Sequence, residues 1–316
     1  MSLDPQLKPL LDAMESNPDA KETHEQTPEE AREAYRALGG MFGPGEAVAR
    51  LEDRTFQGPE SEIPLRIYTP EGKGPFPVLV FFHGGGFVIG DLESHDKECR
   101  ALCNRAGCIV VAVHYRLAPE HPFPAAPNDC YAALEWVAAH ASEFDGDAAR
   151  MAVGGDSAGG NLSAVVSLLA RDRGGPALRF QLLIYPTVDA RSLDAYASQV
   201  ENAAGPILKR ETMEYFMGHY LGSGSQADSD RQDVRASPIL AASLAGLPPA
   251  LVITAELDPL RDEGEAYAEA LEAAGVSTAH QRYDGQPHAF FQLSPILDAG
   301  KRALDQAGAA LAEHLA

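Results

Sequence analysis

Ser157 stands at the centre of the segment Gly155-Asp156-Ser157-Ala158-Gly159, between an apolar run and a stretch with helical character. In the G-x-S-x-G pattern a sharp turn from strand to helix leaves the serine hydroxyl exposed, provided that the residues two before and two after it are small. Such a hydroxyl attacks a carbonyl carbon when a base takes its proton. We therefore predict that Ser157 is a nucleophile. The alternatives are an ordinary helix cap and a phosphate-binding turn, although the lysine of a P-loop is missing.

The partners of this serine should follow it in the order carboxylate, then histidine. Asp258 lies in a loop just past an apolar run and is the candidate acid. Its alternative role is to cap the next helix, in which case Glu256 is the substitute. Of the later histidines, His280 falls within a predicted strand and His314 near the end of the last helix. Only His288 lies in a loop after a strand, so we predict that it is the base.

The stretch "VLVFFHGGGFVIG" ends an apolar run with His83 and three glycines. Negative charge develops on the carbonyl oxygen that a serine attacks, and backbone N–H groups aimed at it stabilise it best. An HGGG loop and the residue after the nucleophile supply such groups in one class of serine hydrolases. We predict that Gly85, Gly86 and Ala158 form this oxyanion hole and that the glycines admit the substrate to the main chain. The alternative is a plain glycine-rich turn.

The elements that must position these residues alternate along the chain. Apolar runs predict strands at 63–70, 76–82, 108–115, 149–155, 180–186, 248–255 and, more weakly, 277–283. Helical patterns predict helices at 97–105, 126–141, 160–171, 262–273 and 296–314. Strands alternating with helices predict an α/β fold with a mostly parallel central sheet and helices on both faces.

Residues 1 to about 45 are polar, with apolar positions at helical spacing. We predict a first helix that Asn17-Pro18 interrupts, and a second that starts with a capping box between Thr27 and Glu30. These helices are additions to the front of a domain, not its core.

The stretch from 187 to about 237 holds no apolar strand, but it contains the helical pattern "KRETMEYFMGHYL". A long insertion in a compact domain is usually functional or flexible. We expect a catalytic domain over 46–316, with this insertion and the N-terminal segment 1–45 forming a helical cap over the carboxyl edge of the sheet.

The composition excludes some classes of partner. A net charge of -21 over 316 residues argues against nucleic acid and against membrane surfaces. No apolar run reaches membrane-spanning length and no secretory signal pattern is present, so we expect a cytoplasmic protein. The four cysteines lack the paired C-x-x-C spacing of a zinc site and are expected to be reduced and buried: Cys99, Cys103, Cys108 and Cys130. We therefore expect no metal.

From about residue 45 to the C-terminus the chain resembles the hormone-sensitive-lipase-like (bacterial family IV) carboxylesterases of the α/β-hydrolase fold. The motifs "HGGGFVIG", "YRLAPEHPFPAA", "GGDSAGGN", "DPLRDEG" and "YDGQPHAF" carry the resemblance. It implies hydrolysis of short to medium acyl esters through an acyl-enzyme, frequent homodimers and no cofactor. It also implies the roles of nucleophile, acid, base and oxyanion hole for Ser157, Asp258, His288, and the set of Gly85, Gly86 and Ala158.

Two positions depart from the family pattern. His114 stands where an aspartate is usual, and Ala289 replaces the glycine that usually follows the base, which is expected to tighten the turn around His288. Other functions also remain open: an amidase or deacylase with the same triad, an interfacial lipase, and a non-catalytic small-molecule receptor. The gibberellin receptors that resemble this family lack the base histidine, which is present here.

Overall fold

The computed structural model describes residues 3–16, 21–41 and 43–316. The interruption predicted at Asn17-Pro18 lies outside the described residues. The strands are β1 (Arg50–Gln57), β2 (Glu62–Thr69), β3 (Phe76–Phe82), β4 (Ile109–Val113), β5 (Gly146–Asp156), β6 (Phe180–Ile184), β7 (Ala250–Leu257) and β8 (Thr278–Pro287). The α-helices are α1 (Lys8–Glu15), α2 (Pro28–Gly40), α3 (Asp96–Ala106), α4 (Ala125–His140), α5 (Ala158–Arg173), α6 (Ala197–Glu201), α7 (Arg210–Leu221), α8 (Ser225–Arg231), α9 (Arg261–Ala273) and α10 (Asp298–Leu315).

All eight strands form one sheet in the order β1-β2-β4-β3-β5-β6-β7-β8. From β4 to β8 every neighbouring pair is parallel, whereas β2 pairs antiparallel with both β1 and β4. The predicted α/β class with a mostly parallel sheet is therefore confirmed. The carboxyl ends of parallel strands meet at one edge, where ligands of such sheets bind. The loops after β3, β5, β7 and β8 all leave the sheet at this edge.

Alternation along the strands divides the core between the two faces of the sheet. In β3, Val78, Val80 and Phe82 pack in the cluster that contains α4 and α5. Leu79 and Phe81 point the other way, into the cluster that contains α3 and α10. Both faces are covered, which explains why the strands read as continuous apolar runs and not as alternating ones.

Strand β1 was not predicted. Its sequence, RLEDRTFQ, is polar, and along it half-buried residues alternate with exposed ones up to the buried Phe56. It lies at the edge of the sheet, where charged side chains are common because only one neighbour pairs with the strand. Its partner β2 carries the apolar pattern from which a strand was predicted at 63–70.

Two segments outside the sheet meet above its carboxyl edge. In the N-terminal segment, Thr27 accepts a hydrogen bond from the Glu30 backbone and Glu30 returns one, as the capping box predicted. His24 Nδ1 lies 3.3 Å from Thr212 Oγ1 on α7 of the insertion. The two segments therefore contact each other directly. Within the described residues, no helix is both long and apolar enough to cross a membrane.

Candidate active site

Ser157 sits on a strained turn between β5 and α5, with φ 55° and ψ −116°. A β-carbon on Gly155 would lie 2.3 Å from the Phe82 carbonyl oxygen, and one on Gly159 would lie 1.8 Å from the same atom. Only glycine fits at either position, because β3 passes directly behind the turn. This is the steric demand that the G-x-S-x-G spacing predicted, and it leaves the Ser157 side chain facing a cavity.

The three predicted triad residues come together at the carboxyl edge of the sheet. His288 Nε2 lies 2.9 Å from Ser157 Oγ, and His288 Nδ1 lies 2.6 Å from Asp258 Oδ2. A carboxylate only accepts hydrogen bonds, so Nδ1 carries the proton and Nε2 is free to accept from the serine hydroxyl. Asp258 is fully buried and His288 is 7 % exposed. The arrangement orients the imidazole and lets Nε2 take the Ser157 proton.

The alternatives weighed for the acid are engaged elsewhere. Glu256 accepts a hydrogen bond from the Gly285 backbone, with Oε2 2.6 Å from that nitrogen. Asp258 also caps the following turn, since its Oδ1 accepts from Leu260 N at 2.8 Å. The N-cap of α9 is Leu260, without a side-chain cap, so Asp258 braces the turn before the helix and does not take the alternative role of helix cap.

The other two histidines lie apart from the serine. His280 Nε2 is 2.9 Å from Thr254 Oγ1 on β7, and His314 Nδ1 is 2.9 Å from the Ala310 carbonyl oxygen on α10. Neither ring nitrogen contacts Ser157, so among the later histidines His288 alone is placed to act on it.

The loop His83–Gly90, called the oxyanion loop after the role predicted for its glycines, brings Gly85 and Gly86 to the cavity that Ser157 and Ala158 also line. Among the described residues, no protein acceptor takes the N–H groups of Gly85, Gly86 or Ala158. The first N–H groups of a helix have no partner within the helix, which accounts for Ala158. Three free donors therefore line the cavity beside the serine hydroxyl.

The protein itself fills the space beside these glycines. A β-carbon on Gly84 would lie 2.4 Å from Asp156 Oδ2, and one on Gly86 would lie 2.2 Å from the Phe216 ring of α7. Gly85 and Gly86 also hold φ +114° and +60°, which disfavour residues with a β-carbon. The sequence predicted only that the substrate requires glycines here. The structure shows that Asp156 and Phe216 also leave no room for a side chain.

Tyr115 of the motif YRLAPE bonds to the first residue of the oxyanion loop, His83. The Tyr115 hydroxyl donates to the His83 carbonyl oxygen at 2.7 Å, and the two rings stack 4.3 Å apart. Arg116 makes a bidentate pair with the fully buried Asp129, at 2.7 and 2.8 Å. None of these groups is hydrogen-bonded to Ser157, so the motif acts on the loop and not on the serine.

Asp156 and His95 form a buried ion pair behind the loop. No sequence pattern predicted this pair. His95 Nε2 lies 3.2 Å from Asp156 Oδ1, and the same oxygen accepts the Gly84 N–H at 2.8 Å. Burial lowers the pKa of His95, but the Asp156 carboxylate outweighs it and the pKa rises. Burial raises the pKa of Asp156, but His95 and the Gly84 N–H hold it below its usual value. The charged pair is thus favoured inside the fold.

The cavity above Ser157 has a volume of about 230 Å³. Its walls come from the oxyanion loop, the N-terminal segment and the insertion. Most of the wall is apolar, including Leu38, Phe87, Leu193, Leu208, Met213 and Phe216. The arrangement places a nucleophile, a base and free N–H donors at the floor of an apolar chamber.

The cysteines take no part in this site. All four are free and buried, and burial raises the pKa of Cys103 to about 12. Within the part of the chain that the structure describes, no group of three or more His, Cys, Asp or Glu side chains is arranged to hold a metal ion.

Known proteins are similar to this chain in sequence and in fold. A family model described as an alpha/beta hydrolase fold matches residues 79–292. The carboxylic ester hydrolase LipN of Mycobacterium tuberculosis is 45% identical over 274 residues, which cover 84% of this chain and 70% of LipN. The ethyl acetate hydrolase of Pseudomonas putida is 36% identical over an alignment of 330 positions that covers all of both chains. A solved ester hydrolase from the metagenome of Lake Arreo superposes with a TM-score of 0.93 at 42% identity, over 99% of each chain. This chain therefore belongs to the alpha/beta hydrolase fold family, as its motifs predicted.

Proposed function

We propose that the protein is a serine carboxylesterase that hydrolyses esters of short to medium acyl chains. The observation that carries this proposal is the continuous hydrogen-bonded chain from Asp258 through His288 to Ser157, beside three free N–H donors. Its relatives named as ester hydrolases support the same activity.

The first half of the reaction forms an acyl-enzyme. Ser157 Oγ attacks the ester carbonyl carbon while His288 Nε2 takes its proton. Asp258 keeps the imidazole in the tautomer that can accept this proton and stabilises the imidazolium that forms. The carbonyl oxygen becomes an oxyanion that the N–H groups of Gly85, Gly86 and Ala158 stabilise. The C–O bond then breaks, and the alcohol leaves with the proton that His288 returns.

The second half reverses the roles with water. His288 takes a proton from water, and the oxygen attacks the acyl carbon bound to Ser157. The same N–H donors stabilise the second oxyanion. The carboxylic acid leaves, and Ser157 regains its proton from His288.

The cavity supports a small apolar acyl group. Its volume of about 230 Å³ falls below the ~300–1,000 Å³ of typical drug-sized ligand pockets. Its walls are mostly hydrocarbon, which suits an acyl chain, with polar side chains such as Thr187, Asp189 and Thr212 among the lining residues. We propose that N-terminal segment 1–45 and insertion 187–237 act together as a cap that sets the acceptable chain length.

The remaining proposals concern the branch of the family, the location of the protein, its partners and its oligomeric state. The motif set supports the hormone-sensitive-lipase-like branch of the family. The net charge of -21 supports the proposal that nucleic acids and membrane surfaces are not partners. The cytoplasmic location expected from the sequence patterns is proposed as well. The resemblance to that branch also supports a homodimer, which sedimentation at micromolar concentration would detect.

A phosphonate ester tests the proposed nucleophile directly. Its phosphorus mimics the tetrahedral intermediate and stays bonded to the attacking oxygen. We expect the intact mass to rise by one phosphonyl group, with peptide mapping placing it on Ser157. Ser157→Ala should gain no mass, and a Ser163→Ala control in α5 should label like the wild type. Full labelling of Ser157→Ala would refute the proposal.

A further inference from the structure

Helix α2 reaches the catalytic centre through a tyrosine. The Tyr35 hydroxyl donates to Gln292 Oε1 at 2.8 Å, across 257 positions of sequence. Gln292 lies in the segment just after His288, at the same carboxyl edge of the sheet. The bond therefore ties the N-terminal segment to the part of the chain that carries the base.

The Gln292 amide continues the connection into the buried ion pair. Its Nε2 donates to Asp156 Oδ2 at 3.5 Å, and this contact with the carboxylate is the link. The other oxygen of Asp156 accepts the Gly84 N–H at 2.8 Å. A polar chain thus runs from Tyr35 to the first glycine of the oxyanion loop. Asp156 and His95 are 3 % and 1 % exposed, and hydrogen bonds in such a low dielectric are strong.

The same helix holds the oxyanion loop at a second point. Arg32 Nε donates to the Val88 carbonyl oxygen at 2.8 Å, and Arg36 Nε lies 2.6 Å from Asp91 Oδ2. The Val88 N–H in turn donates to the Gly85 carbonyl oxygen at 3.0 Å. Helix α2 therefore contacts the loop directly at Val88. Through Gln292 it is also connected to Asp156, which accepts the Gly84 N–H.

We infer that Tyr35 and Gln292 are positioning residues for ester hydrolysis, which hold the oxyanion loop in its productive geometry through Asp156. The inference rests on the proposed function. Neither side chain touches the reacting atoms. Their effect falls on the transition state, because the loop they support binds the oxyanion and not the ground-state ester.

Three variants test this chain: Tyr35→Phe, which keeps the ring that lines the cavity, Gln292→Met, and the double variant. The matched control is Tyr283→Phe, since the Tyr283 hydroxyl also donates to a glutamine, Gln306 Oε1, at 2.8 Å. Removing one hydrogen bond from the chain should lower kcat on p-nitrophenyl butyrate about five- to tenfold, with KM unchanged. The double variant should lose no more than the worse single variant, because both act through one chain. The control should keep the wild-type kcat.

A second readout separates positioning from damage to the fold. Titration of active sites with a phosphonate puts kcat on a per-site basis. A trifluoromethyl ketone traps an oxyanion on Ser157, so its Ki should rise by the same factor by which kcat falls. An unchanged per-site kcat in Tyr35→Phe, an unchanged Ki, or an equal loss in Tyr283→Phe would each overturn the inference. If Ser157→Ala is inert while Tyr35→Phe behaves like wild type, the proposed function stands and this inference fails. Full activity in Ser157→Ala would overturn both.

Discussion

Replacing Gly84 by alanine places a methyl group where the protein has no room for one. The new β-carbon would lie 2.4 Å from Asp156 Oδ2 and 2.9 Å from the Asp156 backbone oxygen. Ordinary contact begins at 3.4 Å, so one of the two residues must move by about 1 Å. Gly84 has no positive φ, and the perturbation is therefore steric and not conformational.

The expected loss of kcat depends on whether Asp156 or Gly84 is displaced. Asp156 immediately precedes Ser157, and Gly84 immediately precedes two of the proposed oxyanion donors, Gly85 and Gly86. A misplacement of ~1 Å at a catalytic constellation costs on the order of 10²-fold in rate, and the loss of one oxyanion donor costs ~10²–10³-fold. We expect kcat to fall about 100-fold or more, with a smaller change in KM. Overpacking should also cost ~1–3 kcal/mol of unfolding free energy.

The assay compares Gly84→Ala with Gly218→Ala. Gly218 lies within α7 with no atom within 4 Å of its would-be β-carbon and no positive φ. Alanine there should leave kcat unchanged and raise the unfolding free energy by up to ~1 kcal/mol. Steady-state hydrolysis of p-nitrophenyl butyrate and thermal melts report both quantities. A Gly84→Ala enzyme with the kcat and Tm of the wild type would refute the steric reasoning.

Three further outcomes are expected. Asp258→Asn keeps the shape of the triad but favours the wrong His288 tautomer, so kcat should fall ~10⁴-fold; a loss of less than ~10-fold would contradict the orienting role. Ala289 holds φ 64°, where a residue with a β-carbon is strained by ~1–2 kcal/mol, so Ala289→Gly should raise Tm despite the greater entropy of unfolded glycine; a lower Tm would contradict this. Burial raises the pKa of Glu98 from 4.5 to about 7, so the folded chain binds a proton there that the unfolded chain releases. Stability should therefore fall as pH rises across that range, and chemical denaturation should show a flatter slope for Glu98→Gln; an unchanged slope would contradict the assignment.

The sequence predicted most of the active site because local geometry demands it. The turn at Ser157 requires glycines at fixed spacing, and the order of Asp258 and His288 follows from the order of the strands. Each of these features is written within a few residues of the element that positions it. That is why Ser157, His288 and Asp258 could be predicted as nucleophile, base and acid from the sequence, and the structure brings the three within hydrogen-bonding distance.

Other features depend on contacts between distant parts of the chain. Strand β1 is polar because it lies at the edge of the sheet, and no apolar pattern marks it. Phe216 explains Gly86 only once α7 is folded over the oxyanion loop. The bond from Tyr35 to Gln292 joins residues at opposite ends of the chain. Single-sequence patterns carry no information about such pairs.

Ser157 is proposed to make this protein an ester hydrolase for short to medium acyl chains. Hydrolysis of p-nitrophenyl esters from acetate to palmitate, with wild type and Ser157→Ala side by side, tests it most directly. We expect turnover with the shorter esters, a decline once the acyl chain outgrows the cavity of about 230 Å³, and none in Ser157→Ala. Equal rates for the two proteins across the whole series, including equal inertness, would contradict the account.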